Sequence, residues 1–353
     1  MNLHQLVGSV LMLGFRGDSL DDLETREDIS QLKAIHCGGV ILFDHDIKAN
    51  GPRNIQSPKQ LAKLIQALRN ELGSELIIGI DQEGGQVSRL DEHNGFRPTL
   101  SAKEFSELIN IDQNQYAQQQ AKQLSTIGID LNFAPCVDLA VDPDSPIIAA
   151  KDRAFGNTIE QVFDCAYKVI DAHHQAGIAC CIKHYPGHGS SMIDSHKGVC
   201  DITNTHTPEE YDIFAKLIER YEDSIAVMSG HLMQTNIDSD FPASLSIKHI
   251  GERIRAKLLF DGVVITDSLD MRAIRNEFGE GESAVRALSA GSDLILDGLN
   301  APGFREPGAP GRLAQAIYQA VKQNRLAHGE AKLLESRDRI DRLLGRLVDE
   351  ESD

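Results

Sequence analysis

The sequence predicts an α/β fold, a (β/α)8 barrel of the TIM type, because short apolar runs alternate with amphipathic segments along most of its 353 residues. Seven runs, and an eighth near the N-terminus, are almost continuous in apolar residues, as strands buried on both faces should be. Eight strand–helix units close such a barrel, and an open doubly wound sheet is the alternative. We expect a single domain over residues 1–353, since no flexible linker or low-complexity tract divides the chain.

The predicted strands and helices follow one another in chain order. The apolar runs cover residues 8–15, 38–44, 75–81, 128–135, 177–184, 224–231, 262–267 and 292–298. Capping residues begin several of the segments between them: Ser57, whose amphipathic stretch ends at Gly73, then Thr158 and Thr207. The tail from about residue 330 predicts a terminal helix.

The composition is that of an ordinary globular protein, with 41% hydrophobic and 25% charged residues. A net charge of -18 disfavours nucleic acid and an anionic membrane as partners. No apolar run reaches the roughly 18 residues that a spanning helix needs, and the N-terminus lacks the basic start of a signal peptide. Six cysteines without C-x-x-C spacing predict buried thiols rather than a disulfide framework or a zinc site. Together these features predict a cytoplasmic protein.

Polar residues follow the predicted strands at five positions, where a barrel collects them around its C-terminal mouth. A single aspartate after a strand is most often a helix cap or a turn residue, but five such positions together favour a polar pocket. These residues are Asp44, Asp81, Lys183 with His184, His231 and Asp267. Arg89 could point back over the same mouth, whereas Arg153, in the loop after the fourth strand, is by itself more typical of a solvated side chain.

The segment KHYPGHGSSMIDSH, residues 183–196, forms an irregular loop because a proline and two glycines interrupt it. Asp194 and His196 are separated by one residue, so in an extended loop their side chains leave on the same side. An aspartate that accepts a hydrogen bond from one imidazole nitrogen raises the basicity of the other. This pair therefore predicts an acid/base group that works near neutral pH. A hydrogen-bonded surface pair without a catalytic role is the alternative.

His184, His188, Asp194 and His196 could also ligate a divalent metal ion. We favour this interpretation less, because proline and glycine exclude the helical i, i+4 spacing of the histidines in zincins. For His188, which has glycines on both sides, a buried structural histidine is the simpler interpretation.

Asp267 ends the run GVVITD and could act as a nucleophile, a base or a turn former. Glycosidases provide the closest chemical template, since one of their groups attacks the anomeric carbon while a partner protonates the leaving oxygen. In this sequence, the partner could be the pair of His196 and Asp194.

In chain order, the motifs IDQEGG, DRAFG, KHYPGHG, DSH and TDSLDM closely resemble those of the family 3 glycoside hydrolases. The loop that carries DSH is similar to the branch that contains bacterial β-N-acetylglucosaminidases. This resemblance covers the chain from about residue 5 to about residue 300 and implies a (β/α)8 catalytic barrel with a retaining mechanism. It also implies an exo-acting β-N-acetylhexosaminidase without a metal or an organic cofactor, acting on GlcNAc-terminated muropeptide fragments or chitooligosaccharides.

By this resemblance, Asp267 corresponds to the nucleophile that forms a covalent glycosyl-enzyme, His196 to the general acid/base and Asp194 to its dyad partner. The positions that correspond to sugar-contacting residues are Asp81, Arg89, Arg153, Lys183 and His184, with His231 and Asp138 as weaker candidates around the same pocket.

The sequence departs from the family pattern at the rim of the expected pocket. The differing residues are Gln86, Ser190, Ser191 and Ser268, and the segment 44–57 is longer than usual. These differences leave the leaving-group specificity open. The alternatives are another family 3 β-glycosidase, a GlcNAc phosphorylase, a barrel that binds sugar without cleaving it, and a metal-dependent hydrolase. Phosphorolysis stays open because a neutral histidine does not repel an anionic acceptor.

Overall fold

A computed structural model describes residues 1–47, 49–192, 200–300 and 308–345. Eight parallel strands form one sheet, and each pairs with its neighbours in sequence. The strands are β1 (Leu11–Leu13), β2 (Gly39–Leu42), β3 (Ile77–Ile80), β4 (Leu131–Asn132), β5 (Ala179–Tyr185), β6 (Ala226–Ser229), β7 (Val263–Thr266) and β8 (Ile295–Asp297). The last strand, β8, pairs with β1, and a parallel bridge between Ile265 and Leu294 closes the sheet. The predicted (β/α)8 barrel is confirmed, and each predicted run contains one strand.

Helices cover the outside of the sheet. They are α1 (Leu3–Ser9), α2 (Leu23–Ala34), α3 (Pro58–Leu72), α4 (Ala102–Glu107), α5 (Asn110–Ile127), α6 (Ile159–Gln175), α7 (Pro208–Tyr221), α8 (Arg272–Phe278), α9 (Glu280–Ala290), α10 (Ala309–Lys322) and α11 (Gly329–Leu343). A π-helical segment, Lys248–Lys257, takes the helix position after β6. Outward-facing residues such as Ile78 and Ile80 of β3 pack with apolar residues of the neighbouring helices in the outer core.

Helix starts follow the predicted capping residues. The Ser57 hydroxyl accepts the Gln60 N–H at 3.2 Å, and the Gln60 side-chain carbonyl accepts the Ser57 N–H at 3.4 Å, which satisfies two donors at the start of α3. Thr158 likewise accepts the Gln161 N–H at 3.3 Å, so α6 begins at the predicted position. Once α3 starts there, its apolar residues recur at the helical period and form one buried face: Leu61, Leu64, Ile65 and Leu68.

The inside of the barrel is filled by alternate residues of each strand, as the two-residue period of a strand requires. This inner cluster contains Met12, Ile41, Ile77, Leu131, Phe133, Ala179, Cys181, Ala226, Met228, Val263, Ile265, Leu294 and Leu296. Continuing the same alternation by one step brings Asp81, Lys183 and Asp267 to the inside of the C-terminal mouth. The position of these three polar residues therefore follows from the same register that packs the core.

The opposite end of the barrel is closed by α11, the terminal helix predicted from about residue 330. Its residue Ile340 packs against the inner cluster. A buried carboxylate, that of Asp293, anchors this helix: it accepts Lys332 Nζ at 2.8 Å and Arg339 Nη1 at 3.2 Å, and it pairs with Arg255. Burial opposes ionisation of Asp293, but these three cations outweigh it and hold its pKa below the ordinary value.

All six cysteines are buried and none forms a disulfide, as the sequence predicted. Burial raises the pKa of the Cys37 thiol to about 12 and also raises the pKa of Cys165 to about 11. These thiols are therefore protonated, small apolar side chains of the core. Among the residues that the structure describes, no helix combines the length and the apolar character needed to cross a membrane.

We predict that Asp293→Asn destabilises the protein by about 3–5 kcal/mol, because it leaves three partly or fully buried cations without their shared carboxylate. Urea unfolding at pH 7.5 measures the effect. The matched control is Glu71→Gln, which removes an exposed partner of Lys33 and should cost at most about 1 kcal/mol. Equal losses in the two variants would contradict a central role for Asp293.

Candidate active site

A buried ammonium group lies at the centre of the mouth. Lys183 is only 2% exposed and extends from β5, where its Nζ pairs with Asp81 at the end of β3 and with Glu83 at 2.7 Å. Burial by itself would lower the pKa of Lys183, but the two carboxylates outweigh it and raise the pKa above its ordinary value. Lys183 is therefore a fixed cation that faces the space above the inner core.

Glu83 also binds the guanidinium of Arg153 through two hydrogen bonds, 2.8 Å from Nε and 2.7 Å from Nη2. This bidentate pair is largely buried, and together with Lys183 it outweighs the burial of Glu83 and keeps its pKa below the ordinary value. Sequence reasoning gave Glu83 no role. The available signal was its position two residues beyond Asp81, which places it on the same side of an extended chain. Arg153, which looked like a solvated loop residue, is buried in this network.

Asp138 orients the chain after β5. It is 1% exposed, and its carboxylate accepts the Nδ1–H of His184 at 2.7 Å and the backbone N–H of His188 at 2.8 Å. Burial opposes ionisation of Asp138, but the contacts with the two histidines lower its pKa to about 2. The other ring nitrogen of His184 lies 3.3 Å from Nη2 of Arg153 and accepts a hydrogen bond from it. His184 therefore links Asp138 to the pair of Arg153 and Glu83.

One group of potential metal ligands occurs among the described residues: Cys136, Asp138 and His184, whose ligand atoms lie within 4.8 Å of one another. These atoms already contact each other, since Cys136 Sγ lies 3.3 Å from Asp138 Oδ2. Burial, and then the charge of Asp138, raise the pKa of the Cys136 thiol well above its ordinary value. A neutral thiol next to the guanidinium of Arg153 favours a hydrogen-bonded network over a cation site.

Arg89 lies over the mouth, as expected from its position after β3. Its guanidinium nitrogens are 3.7 Å from Asp81 and 3.5 Å from Asp44, and Arg89 and Asp81 each keep 24% of the side chain exposed. The turn that carries it requires glycine at Gly84, whose φ is +109° and where a Cβ would lie 2.0 Å from the carbonyl oxygen of Leu100. Exposed charged groups at the rim of a mouth are suited to bind sugar hydroxyls.

Asp267 stands directly after β7 and is partly exposed. Its Oδ1 accepts the backbone N–H of Ser268 at 2.7 Å, and its own N–H donates to the Ser229 carbonyl at 2.9 Å, so the side chain has a defined direction. His231 is buried behind this segment, where Nε2 donates to the Ser268 carbonyl at 2.9 Å and Nδ1 accepts from the Ser244 hydroxyl at 2.7 Å. These contacts support the Asp267 segment, and a contact of His231 with substrate stays a prediction.

Asp194 and His196 lie outside the described residues, in the segment 193–199. The described start of their loop is tightly packed. A Cβ at Gly187 would lie 2.5 Å from the Glu210 side chain, and one at Gly189 would lie 1.6 Å from the Leu139 carbonyl oxygen. Close packing thus requires glycine at both positions.

Known proteins are similar to this chain in sequence. The profile described as "Glycosyl hydrolase family 3 N terminal domain" matches residues 5–343. A beta-hexosaminidase of Idiomarina loihiensis is 33% identical over 294 residues, which cover 81% of this chain and 82% of the relative. A beta-hexosaminidase of Haemophilus influenzae is 32% identical over 299 residues, 82% of this chain and 79% of the relative.

Solved structures show the same relationship. A family 3 β-N-acetylglucosaminidase from Paenibacillus sp. str. FPU-7 is 31% identical, with a TM-score of 0.83 over 100% of this chain and 65% of that chain. A β-N-acetylhexosaminidase from Beutenbergia cavernae has a TM-score of 0.85 over 98% of this chain and 99% of that chain. At 23% identity, the second structure shows a shared fold.

We predict that the protein loses stability as pH falls from about 6.5 towards 4. Burial lowers the pKa of His173 and His188 from 6.5 to about 4 and that of His249 to about 3, so the unfolded chain takes up these protons first. The contribution of these three histidines to stability is therefore complete above pH 6.5 and declines below it. Each such histidine contributes a loss of about 2 kcal/mol between pH 7.5 and pH 5, measured by urea unfolding.

The His249→Phe variant should show a smaller acid-side loss than the wild type, because it removes one buried proton acceptor. His93→Gln, which replaces a histidine whose side chain is 95% exposed, is the matched control and should retain the loss. An unchanged pH dependence in His249→Phe would contradict this explanation.

Proposed function

This chain belongs to glycoside hydrolase family 3 and is a glycoside hydrolase of the β-hexosaminidase type, and on that premise we propose that it is a retaining, exo-acting β-N-acetylglucosaminidase. Its proposed substrates are small carbohydrates that end in GlcNAc, either muropeptide fragments or chitooligosaccharides. One observation carries the proposal: Asp267 stands, partly exposed, at the same barrel mouth as Asp81, Lys183 and Arg89.

In the proposed mechanism, a carboxylate oxygen of Asp267 attacks the anomeric carbon and forms a covalent glycosyl-enzyme. His196 gives a proton to the leaving oxygen as the bond between that oxygen and the anomeric carbon breaks. In the next step His196 takes a proton from a water molecule, which attacks the anomeric carbon and breaks the bond to Asp267. Asp194 orients the imidazole ring in both steps. The hydrogen bond from the Ser268 N–H to Asp267 supports the role of nucleophile, since it holds the carboxylate in one orientation without protonating it.

The sugar would bind at the mouth, between the carboxylates of Asp267 and Asp81 and the cations of Arg89 and Lys183. Asp81 and Arg89 are partly exposed, so they can exchange contacts with water for contacts with sugar hydroxyls. Lys183 is held beneath them as a cation whose charge is already balanced by Asp81 and Glu83. A direct contact of Arg153 or His184 with the sugar is a further part of the proposal.

The names of the relatives described above support the preference for an N-acetylated sugar. These relatives are named beta-hexosaminidases or β-N-acetylglucosaminidases. A cytoplasmic location and a role in peptidoglycan recycling belong to the same proposal. The six buried thiols, none of which forms a disulfide, support a reducing compartment.

We predict that the protein releases para-nitrophenol from the β-N-acetylglucosaminide and not from the β-glucoside, and that Asp267→Ala abolishes this release while leaving the fold intact. Circular dichroism reports the fold, and Asp240→Ala, which replaces an exposed aspartate, is the matched control with wild-type activity. A slow fluorinated substrate should leave a glycosyl adduct on the peptide that contains Asp267. Release from the glucoside alone would overturn the substrate, and release by Asp267→Ala would overturn the nucleophile.

We predict that His196→Ala lowers kcat/KM by about 100- to 10,000-fold for substrates with poor leaving groups and much less for nitrophenyl glycosides, because a good leaving group needs little protonation. A series of aryl glycosides of graded phenol pKa measures the dependence. Equal losses along the series would exclude an acid role for His196.

Product analysis with and without phosphate distinguishes hydrolysis from phosphorolysis, since formation of a sugar 1-phosphate would identify a phosphorylase.

A further inference from the structure

Gln82 lies between Asp81 and Glu83 in the sequence, but its side chain points away from both of their partners and into the loop that follows β3. It is 6% exposed. Its Oε1 accepts two backbone N–H groups, from Arg89 at 2.8 Å and from Leu90 at 3.0 Å. This one oxygen therefore uses both of its lone pairs to hold the end of the loop.

The amide nitrogen of Gln82 holds the same loop from a second direction. It donates to the Ser88 hydroxyl at 2.8 Å, which in turn donates to the Leu90 carbonyl at 3.2 Å and accepts from the Thr99 hydroxyl at 3.0 Å. The loop is thus closed around one buried amide. Arg89 is the residue at which the closed loop returns to the mouth.

The backbone of Gln82 is fixed by a side chain from the neighbouring strand. Asn132 Oδ1 accepts the Gln82 N–H at 3.0 Å, and Asn132 Nδ2 donates to the Gln82 carbonyl at 3.0 Å. These two bonds continue the β3–β4 pairing beyond the point where Ile80 pairs with Asn132. They hold the peptide groups that join Asp81 to Gln82 and Gln82 to Glu83.

Asn132 is itself oriented from the outer helix layer. Its Nδ2 also lies 3.1 Å from Nε2 of His173, and His173 Nδ1 lies 2.8 Å from the Val169 carbonyl within α6. The carbonyl can only accept, so Nδ1 carries the proton and Nε2 accepts from Asn132. This tautomer leaves Asn132 Oδ1 turned towards the Gln82 N–H.

We propose that Gln82 is a positioning residue of the sugar site: its backbone is fixed by Asn132, which His173 orients, and its side-chain amide holds Arg89 beside Asp81 and Asp44 so that these groups bind the sugar together. The chain His173–Asn132–Gln82 connects helix α6 to the rim of the mouth through buried hydrogen bonds. Breaking any of these hydrogen bonds would leave a buried donor or acceptor without a partner, which is costly. The buried chain therefore restricts the loop end more than a surface turn would.

This proposal deepens the proposed function and rests on it for its kinetic part. Gln82→Met keeps the length and burial of the side chain but removes all of its hydrogen bonds. We expect KM for the N-acetylglucosaminide to rise about 10-fold with kcat changed less than about 3-fold, since Arg89 and Asp81 would bind the sugar hydroxyls in the ground state and the transition state alike.

A double-mutant cycle with Arg89→Ala separates positioning from general destabilisation. If Gln82 acts through Arg89, adding Gln82→Met to Arg89→Ala should change KM by less than about 2-fold. A change of that size is about the resolution of a double-mutant cycle. Gln113→Met is the matched control, because Gln113 is an equally buried amide that binds the Phe105 carbonyl away from the mouth. It should lower stability without changing KM.

Hydrogen–deuterium exchange tests the same point without catalysis. In folded Gln82→Met, the backbone amides of Arg89 and Leu90 should exchange at least about 10-fold faster than in the wild type. In Gln113→Met, the same two amides should exchange at the wild-type rate. Unchanged exchange at these amides, or a KM effect that adds fully to that of Arg89→Ala, overturns the proposal. An inactive wild type would overturn the proposed function instead, and the exchange result would still decide whether Gln82 positions Arg89.

Discussion

The mouth of this barrel depends on the buried ammonium group of Lys183. A cation without solvent is costly unless carboxylates and hydrogen bonds replace the lost water. Asp81 and Glu83 supply these carboxylates, and Glu83 in turn requires the guanidinium of Arg153. Each member therefore fixes the next, so that charge neutrality within a small volume determines the geometry of the site.

Two further layers hold this charged network in place. Asp138 binds His184, whose second nitrogen faces Arg153, and thereby aligns the end of β5 with the chain after β4. On the other side, Asn132 and Gln82 align the chain after β3 with β4. The result is a partly exposed rim that rests on buried ion pairs and hydrogen bonds.

The two ends of the barrel use similar chemistry for different purposes. At the closed end, Asp293 gathers three cations from the π-helical segment and α11, and its carboxylate is completely buried. At the open end, Asp81 and Arg89 each keep about a quarter of the side chain exposed, and Asp267 is also partly exposed. Solvent-accessible charge at the strand ends is what distinguishes the candidate active site from a structural ion-pair cluster.

The sequence by itself determined the barrel, the positions of its eight strands and the presence of Asp81, Lys183 and Asp267 at the mouth. These features depend on local rules, namely the run of apolar residues, the helix caps and the two-residue period that sends alternate side chains inward. The motif order also predicted the family. Asp194 and His196 were identified in the same way, and their roles remain part of the proposal.

Only the tertiary structure decided which residues support the site. Gln82 and Asn132 are 50 residues apart in sequence, and Glu83 and Arg153 are 70 apart, so no local pattern reveals that they meet. Arg153 looked like a solvated residue because a loop position alone says nothing about what covers it. The packing of distant segments determines which partners a buried polar group contacts. For that reason, only the tertiary structure identifies the residues that support this site.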